Sequence, residues 1–208
     1  MATIKKQRWQ SSKAYTAIYS FVLAAMITTI GFTLLYKGSL LTTGNHTPIP
    51  ANLAPVGAPE MLIIPKIGVD AAIQVVGLTA NGRMGIPTNF TDVAWYKFGP
   101  KPGDPGSSAI NGHLDTVTDS NAVFARLDEI KKGDEIYILD KDGQEIKFRV
   151  INTEIYDEAK APLKKIFDQS KTSARLNLIT CDGVWNQDKR DYNKRLVVYS
   201  ERVYEASE

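Results

Sequence analysis

Residues 14–36, AYTAIYSFVLAAMITTIGFTLLY, contain no charged side chain, and that run constrains everything around it. Wound as a helix at about 1.5 Å per residue it spans roughly 35 Å, enough to cross a bilayer core of about 30 Å. It is apolar on every face, so it does not read as a surface helix of a globular core. Lys5, Lys6, Arg8 and Lys13 precede it with no acidic residue among them, and after Lys37 no charge follows until Glu60. The positive-inside rule then puts the N-terminus in the cytoplasm and everything beyond Lys37 outside the cell. A cleaved signal peptide has a shorter apolar region, followed by a small-x-small site. Tyr36-Lys37-Gly38-Ser39-Leu40-Leu41 offers none, so the expectation is an uncleaved, single-pass membrane anchor.

The expected domains follow from this run: 1–13 a cytoplasmic N-terminus, 14–36 the transmembrane anchor, 37–59 a linker, and 60–208 a folded domain. The linker is rich in Gly, Pro, Thr and Asn and keeps neither a helical nor a strand period. His46 lies in it and is read as solvated. The whole chain holds 25 basic and 23 acidic residues. The five basic residues up to Lys37 have no acidic counterpart, so the part beyond carries 20 basic against 23 acidic residues, about −3. That balance leaves no electrostatic footprint for nucleic acid.

The part beyond the linker reads as short strands punctuated by turns. Met61–Ile64 and Ala71–Val76 are apolar runs bounded by Pro65, Gly68 and Gly77. Asn81-Gly82 marks a turn, and an extended segment at 84–87 follows it. Residues 92–98, 107–113, 135–139, 146–153, 176–181 and 195–203 complete the strand-like set. Asp140-Lys141-Asp142-Gly143 is a hairpin turn between two of them. Val123, Phe124, Leu127 and Ile130 recur at helical spacing and predict a helix over 121–130, and a short helix is expected after Pro162. Residues 182–194 read as a loop. About eight strands with a few short helices predict a mostly β, mostly antiparallel sheet closed into a barrel or sandwich.

Cys181 is the only cysteine, so no intramolecular disulfide can form. In an exported domain such a residue is either a buried, inert thiol or a thiol kept for chemistry. It stands at the end of the alternating segment Leu176-Asn177-Leu178-Ile179-Thr180-Cys181, where a strand opens into turn-forming Asp182 and Gly183. A cysteine nucleophile needs a cation to favour its thiolate and an acid to protonate the leaving group. His113 is the one histidine beyond the linker and also ends a strand. Arg195 opens the strand after the cysteine and can supply a fixed donor fork to an oxyanion. Arg190 competes with it. Each residue also has an ordinary structural reading: a core thiol, a turn histidine, a solvated flanking arginine.

Leu178-Ile179-Thr180-Cys181 followed by Arg195 resembles the signature of the sortase family, a Thr-Leu-x-Thr-Cys strand end with an arginine on the next strand. Asn111-Gly112-His113 resembles the Gly-His of that family. The order is the same, with 68 positions from His113 to Cys181 and 14 from there to Arg195. The likeness runs from about Met61 to Arg202 and includes Ile64-Pro65-Lys66-Ile67-Gly68-Val69, Trp95-Tyr96, Pro102-Gly103-Asp104-Pro105-Gly106 and the segment from Phe124 to Leu127. It is greatest toward class F, with classes D and E as neighbours. Asn177 departs from the pattern, standing where the signature has its first threonine.

The resemblance implies an eight-stranded sortase-like β-barrel and cysteine transpeptidation. Cys181 would attack the Thr–Gly bond of an LPxTG-like sorting signal on a secreted protein. The thioacyl product would pass to an amine of a cell-wall precursor. His113 would be the acid and base, Arg195 would hold the substrate and the oxyanion, and Asp115 is a candidate to orient His113. No cofactor and no metal is implied, and Asp157 and Glu158 do not by themselves make a calcium site. Two rival cysteine enzymes fit less well: papain-like proteases place cysteine before histidine, and L,D-transpeptidases place it after a His-Gly pair. The rival of another class is an anchored, non-catalytic β-domain that binds a partner or senses redox state.

Overall fold

The computed structural model describes residues 49, 55–116, 122–188 and 191–204. They fall in one compact unit, His46–Glu208. Residues 14–36, His46 and Arg190 lie outside the described residues, and so does the expected anchor. Among the described residues no helix is long and apolar enough to cross a membrane.

Eight strands close a barrel: β1 (Pro59–Ile64), β2 (Val69–Val76), β3 (Val93–Tyr96), β4 (Gly106–Asn111), β5 (Glu135–Asp140), β6 (Glu145–Asp157), β7 (Ala174–Asn186) and β8 (Asp191–Arg202). Around the barrel the order is β1-β2-β3-β4-β7-β8-β6-β5. Neighbours are antiparallel except at β2–β3 and β4–β7, which run parallel. A parallel pair needs a crossover connection. The long β2–β3 and β4–β7 excursions supply it.

The two-residue period of each strand sorts its side chains between the inside and the outside of the barrel. On β7, Leu176 and Leu178 point inward and join Leu62, Ile64, Ile110, Phe124, Leu127, Ile138 and Phe148 in the main core. The alternate residues Asn177, Ile179 and Cys181 therefore belong to the outer face. Part of that face is covered by the short α-helix Leu163–Ile166 and the turn after it. Ile166, Val197 and Tyr199 form a second apolar cluster there, with Ile179 and Phe167 packed against it. Buried Asn177 donates its side-chain N–H to the carbonyl of Ile166 at 2.6 Å. The residue that departs from the family signature thus fastens the β6–β7 connection to the barrel wall.

Two expectations are corrected. Residues 122–130 form successive turns and a 3-10 helix, Leu127–Glu129, rather than an α-helix. Amide bonds from Ala125 to Ala122, Leu127 to Phe124 and Ile130 to Leu127 set a three-residue repeat. Apolar spacing of three and four cannot separate the two helix types, and Phe124, Leu127 and Ile130 are buried as that spacing requires. Residues 182–194 are mostly strand rather than loop, since β7 runs on to Asn186 and β8 begins at Asp191. The Asp182-Gly183 turn signal makes a bulge instead: the register shifts between Asp182 and Trp185, and Gly183 has φ 83°. The Val184 amide donates to Asn193 Oδ1 at 2.8 Å, and a Cβ on Gly183 would stand 2.3 Å from that oxygen.

Candidate active site

The sites predicted on β4, β7 and β8 converge at one end of the barrel. β4 and β7 are parallel with Asn111 opposite Ile179, so both strands reach the same rim. Thr180, buried, donates its hydroxyl to the Gly112 carbonyl at 2.9 Å, and the Gly112 amide donates to the Ile179 carbonyl at 3.2 Å. These bonds fix the backbone before His113 against the backbone before Cys181. Gly112 must be glycine for a steric reason: a Cβ there would lie 2.7 Å from the Phe124 ring and 2.8 Å from Val123.

Arg195 is the direct cross-strand partner of Cys181. Residues paired in this way carry their side chains on the same face of the sheet. Arg195 is nearly buried, and its Nη1 donates to the carbonyls of Tyr192 and Lys194, both at 2.8 Å. Its Nη2 donates to both carboxylate oxygens of Asp191, at 2.7 and 2.8 Å. The guanidinium is thus held by the first turn of its own strand. Arg190, the competing arginine, is outside the described residues.

His113 rests against the β2–β3 connection. Its Nε2 lies 3.2 Å from the Pro87 carbonyl, and Phe90 packs on its ring with centroids 4.9 Å apart. Its own carbonyl accepts the Phe124 amide at 2.9 Å. Asp115, expected beside His113, instead accepts a hydrogen bond from the Tyr192 hydroxyl. That bond ties the segment after β4 to the start of β8, and it contributes most to pushing the Tyr192 hydroxyl up to about 12. Trp185 packs edge-on against Tyr192, with centroids 5.3 Å apart.

Cys181 is a free, half-buried thiol. Burial raises its pKa above the ordinary thiol range; Arg195 and, more weakly, Arg83 pull it down, while Asp191 and Asp115 push it up. The site therefore sets desolvation against a guanidinium pair. This arrangement can hold a neutral thiol and stabilise negative charge that forms beside it.

Arg83, Asp191 and Tyr192 were not singled out by sequence reasoning, and Glu158 was named only as an acidic residue that makes no calcium site by itself. Asp191 had no signal while 182–194 read as a loop; only once β8 starts at Asp191 do residues 191 and 195 share a face. Arg83 and Glu158 had none, because only the closed barrel brings the β2–β3 connection to the end of β6. A cavity lined by Asp157, Glu158, Asn186, Asp191, Tyr192 and Asn193 lies beside this cluster and does not include Cys181. Among the described residues no three His, Cys, Asp or Glu side chains are grouped to hold a metal ion.

Residues 62–203 match the family model described as "Sortase domain". Sortase A of Listeria monocytogenes serovar 1/2a is 28% identical over 129 residues, 62% of this chain and 51% of that protein. The chain thus spans about half the length of the curated relative it matches. Among solved structures, a Clostridium perfringens Sortase D5 transpeptidase superposes with a TM-score of 0.53 at 20% identity, over 71% of this chain and 79% of its own. The lid mutant of sortase A from Corynebacterium diphtheriae gives 0.56 at 20% identity, with 74% of each chain covered. Sortase C-1 from Actinomyces oris gives 0.53 at 23% identity, over 70% and 73%. These superpositions concern the fold.

Proposed function

The chain belongs to the sortase family, and from that premise we propose that it is a cysteine transpeptidase with Cys181 as nucleophile, His113 as general acid and base, and Arg195 as oxyanion donor. The observation that carries this reading is the register. Cys181 is paired with Arg195, and the Thr180–Gly112 bond fixes the approach to His113 at the adjoining strand end.

In this mechanism the Cys181 thiol passes its proton to His113 as its sulfur attacks the threonine carbonyl of an LPxTG-like sorting signal. Arg195 stabilises the oxyanion by donating to it, as positioned donors do at developing charge. The Thr–Gly bond breaks as His113 gives its proton to the departing glycine amine. A threonyl thioester remains on Cys181. An amine of a cell-wall precursor then attacks that carbonyl, His113 takes the proton of the amine and passes it to the departing sulfur, and the thiol is released as the new amide forms. The substrates are accordingly secreted proteins carrying the signal, and the acceptor is a cell-wall amine. Residues 14–36 act as a single-pass anchor with the N-terminus in the cytoplasm and the residues after Lys37 as linker; the domain, which already includes core Val56 and Pro59 of β1, works outside a Gram-positive cell. The sequence details favour class F, with D or E as neighbours; the solved relatives above carry class A, C and D names.

The test is incubation of the full chain with an LPxTG peptide and a small amine. The expected result is cleavage after threonine, an amide product, and a peptide thioester on Cys181 by mass spectrometry. A native thiol that alkylates readily yet gives neither thioester nor product with any such peptide would favour the binding or redox module.

A further inference from the structure

Arg83 is more than half exposed, yet two carboxylates from two different elements hold it. Its Nη2 lies 2.9 Å from Glu158 Oε1 and 2.8 Å from Asp191 Oδ2, although Asp191 is 108 positions away. Its backbone is fixed as well. The Thr79 amide donates to the Arg83 carbonyl at 2.8 Å, the Arg83 amide donates to Thr79 Oγ1 at 3.2 Å, and Gly82 closes the turn. An isolated surface ion pair contributes little, but a network of several charges is the exception.

The same two carboxylates face Arg195. Asp191 binds it with both oxygens, and Glu158 Oε1 stands 3.8 Å from its Nη2. With Arg83 present, two guanidinium groups meet two carboxylates and the cluster is neutral. Without it, Arg195 alone would face both carboxylates and the cluster beside Cys181 would carry a net −1. That charge opposes both the thiolate and the oxyanion. The other titratable groups around the thiol do not compensate: Asp115 and Tyr192 add no positive charge, Asp182 follows the thiol directly, and His113 and Lys194 are present in either case.

We propose that Arg83 is a positioning residue of the Cys181 site: by sharing Asp191 Oδ2 and Glu158 Oε1 with Arg195, it leaves the charge of Arg195 unquenched beside the thiol. The proposal rests on the transpeptidase reading for its effect on turnover, but its effect on the thiol does not depend on that reading.

The experiment measures the pH profile of Cys181 alkylation by iodoacetamide in the full chain, beside steady-state kinetics with an LPxTG peptide. Arg83→Gln is expected to move the alkylation midpoint upward by about half a pH unit or more and to lower kcat with little change in KM. Arg83→Lys, which keeps the charge, retains the wild-type midpoint. Arg83→Gln combined with Glu158→Gln restores neutrality while leaving the Asp191 clamp on Arg195, and it returns the midpoint toward wild type. An unchanged midpoint in Arg83→Gln overturns the proposal. So does a midpoint shift that the second substitution fails to reverse, since that marks a structural rather than electrostatic role. Added salt should shrink the Arg83→Gln shift, because exposed charges are screened. If the wild-type protein alkylates but turns over no peptide, the transpeptidase reading fails while the alkylation series still decides the role of Arg83.

Discussion

Strand β7 is two regions in one element. From Ala174 to Thr180 it is almost entirely buried, with Leu176 and Leu178 fully so. From Cys181 to Asn186 it rises out of the core, and Val184 and Trp185 are exposed. The lower half is held mainly by apolar burial, which has no direction and needs only volume and register, with Asn177 and Thr180 each adding one bond to a neighbouring segment. The upper half meets directional contacts: the Gly183 bulge bonded to Asn193, and around it the Tyr192–Asp115 bond, the Arg195–Asp191 clamp and the Arg83 bridge. The lower half confers rigidity, and the upper half brings charges together at the point where that rigidity ends. Cys181 is the first residue past the boundary. A reactive group held by a stiff strand but lying outside the core can meet a substrate without disturbing the fold.

This contrast predicts that substitutions above the boundary act on chemistry and those below it act on stability. The largest effect is expected from Cys181→Ala, which should abolish thioester formation while leaving the urea midpoint of unfolding near wild type. Loss of folding in that variant would show that the thiol belongs to the core. Arg195→Gln should come next, reducing kcat/KM about 10²–10³-fold, the usual result of deleting one oxyanion donor. Its stability should change less than its rate, because Arg195 lies outside both apolar clusters.

Leu178→Ala lies two to three residues below the boundary and should do the reverse. It is expected to cost about 3 kcal/mol in a denaturant titration, while the surviving folded fraction keeps its alkylation profile. Asn177→Ala should cost about 1 kcal/mol through the lost bond to Ile166. It should also speed proteolysis in the segment around Leu163–Ile166.

The smallest expected effect is a pH dependence of stability. The folded-state pKa of Cys181 is raised, chiefly by burial, so the folded state favours the protonated thiol. Its contribution is present in full below the unfolded thiol value of about 8.5 and is lost as pH rises through the folded value. Thermal melts of wild type and Cys181→Ala across that window should diverge upward in pH, with the wild type falling faster. Parallel curves would remove burial as the dominant influence on the thiol.

The strand set was legible because strands alternate. The periods at 135–139, 146–153 and 176–181 are short-range patterns, and the Asp140–Gly143 turn that joins two of them carries its own signal, with Gly143 at φ 79° and its amide bonded to the Asp140 carbonyl at 3.0 Å. The type of helix at 122–130 was not legible, since buried positions at the same spacing serve both forms. The extension of β7 past Gly183 was hidden because a glycine that marks a turn and one that permits a bulge look the same in sequence. Arg83 and Glu158 were invisible for another reason. Each is an ordinary charged residue until a closed barrel brings its segment beside Asp191.

The sequence by itself determined which side chains can carry the chemistry: one thiol, one histidine beyond the linker, and an arginine on the next strand. The two-residue period of β7 also puts Cys181 opposite in phase to Leu176 and Leu178, and the closed barrel makes that phase the outer face. Residue type and phase are local properties, written in neighbouring residues. Only the tertiary structure decided which charges surround the thiol. The balance of Arg83, Arg195, Asp191 and Glu158 depends on distances between four separate segments, and electrostatic energy depends on those distances rather than on separation along the chain.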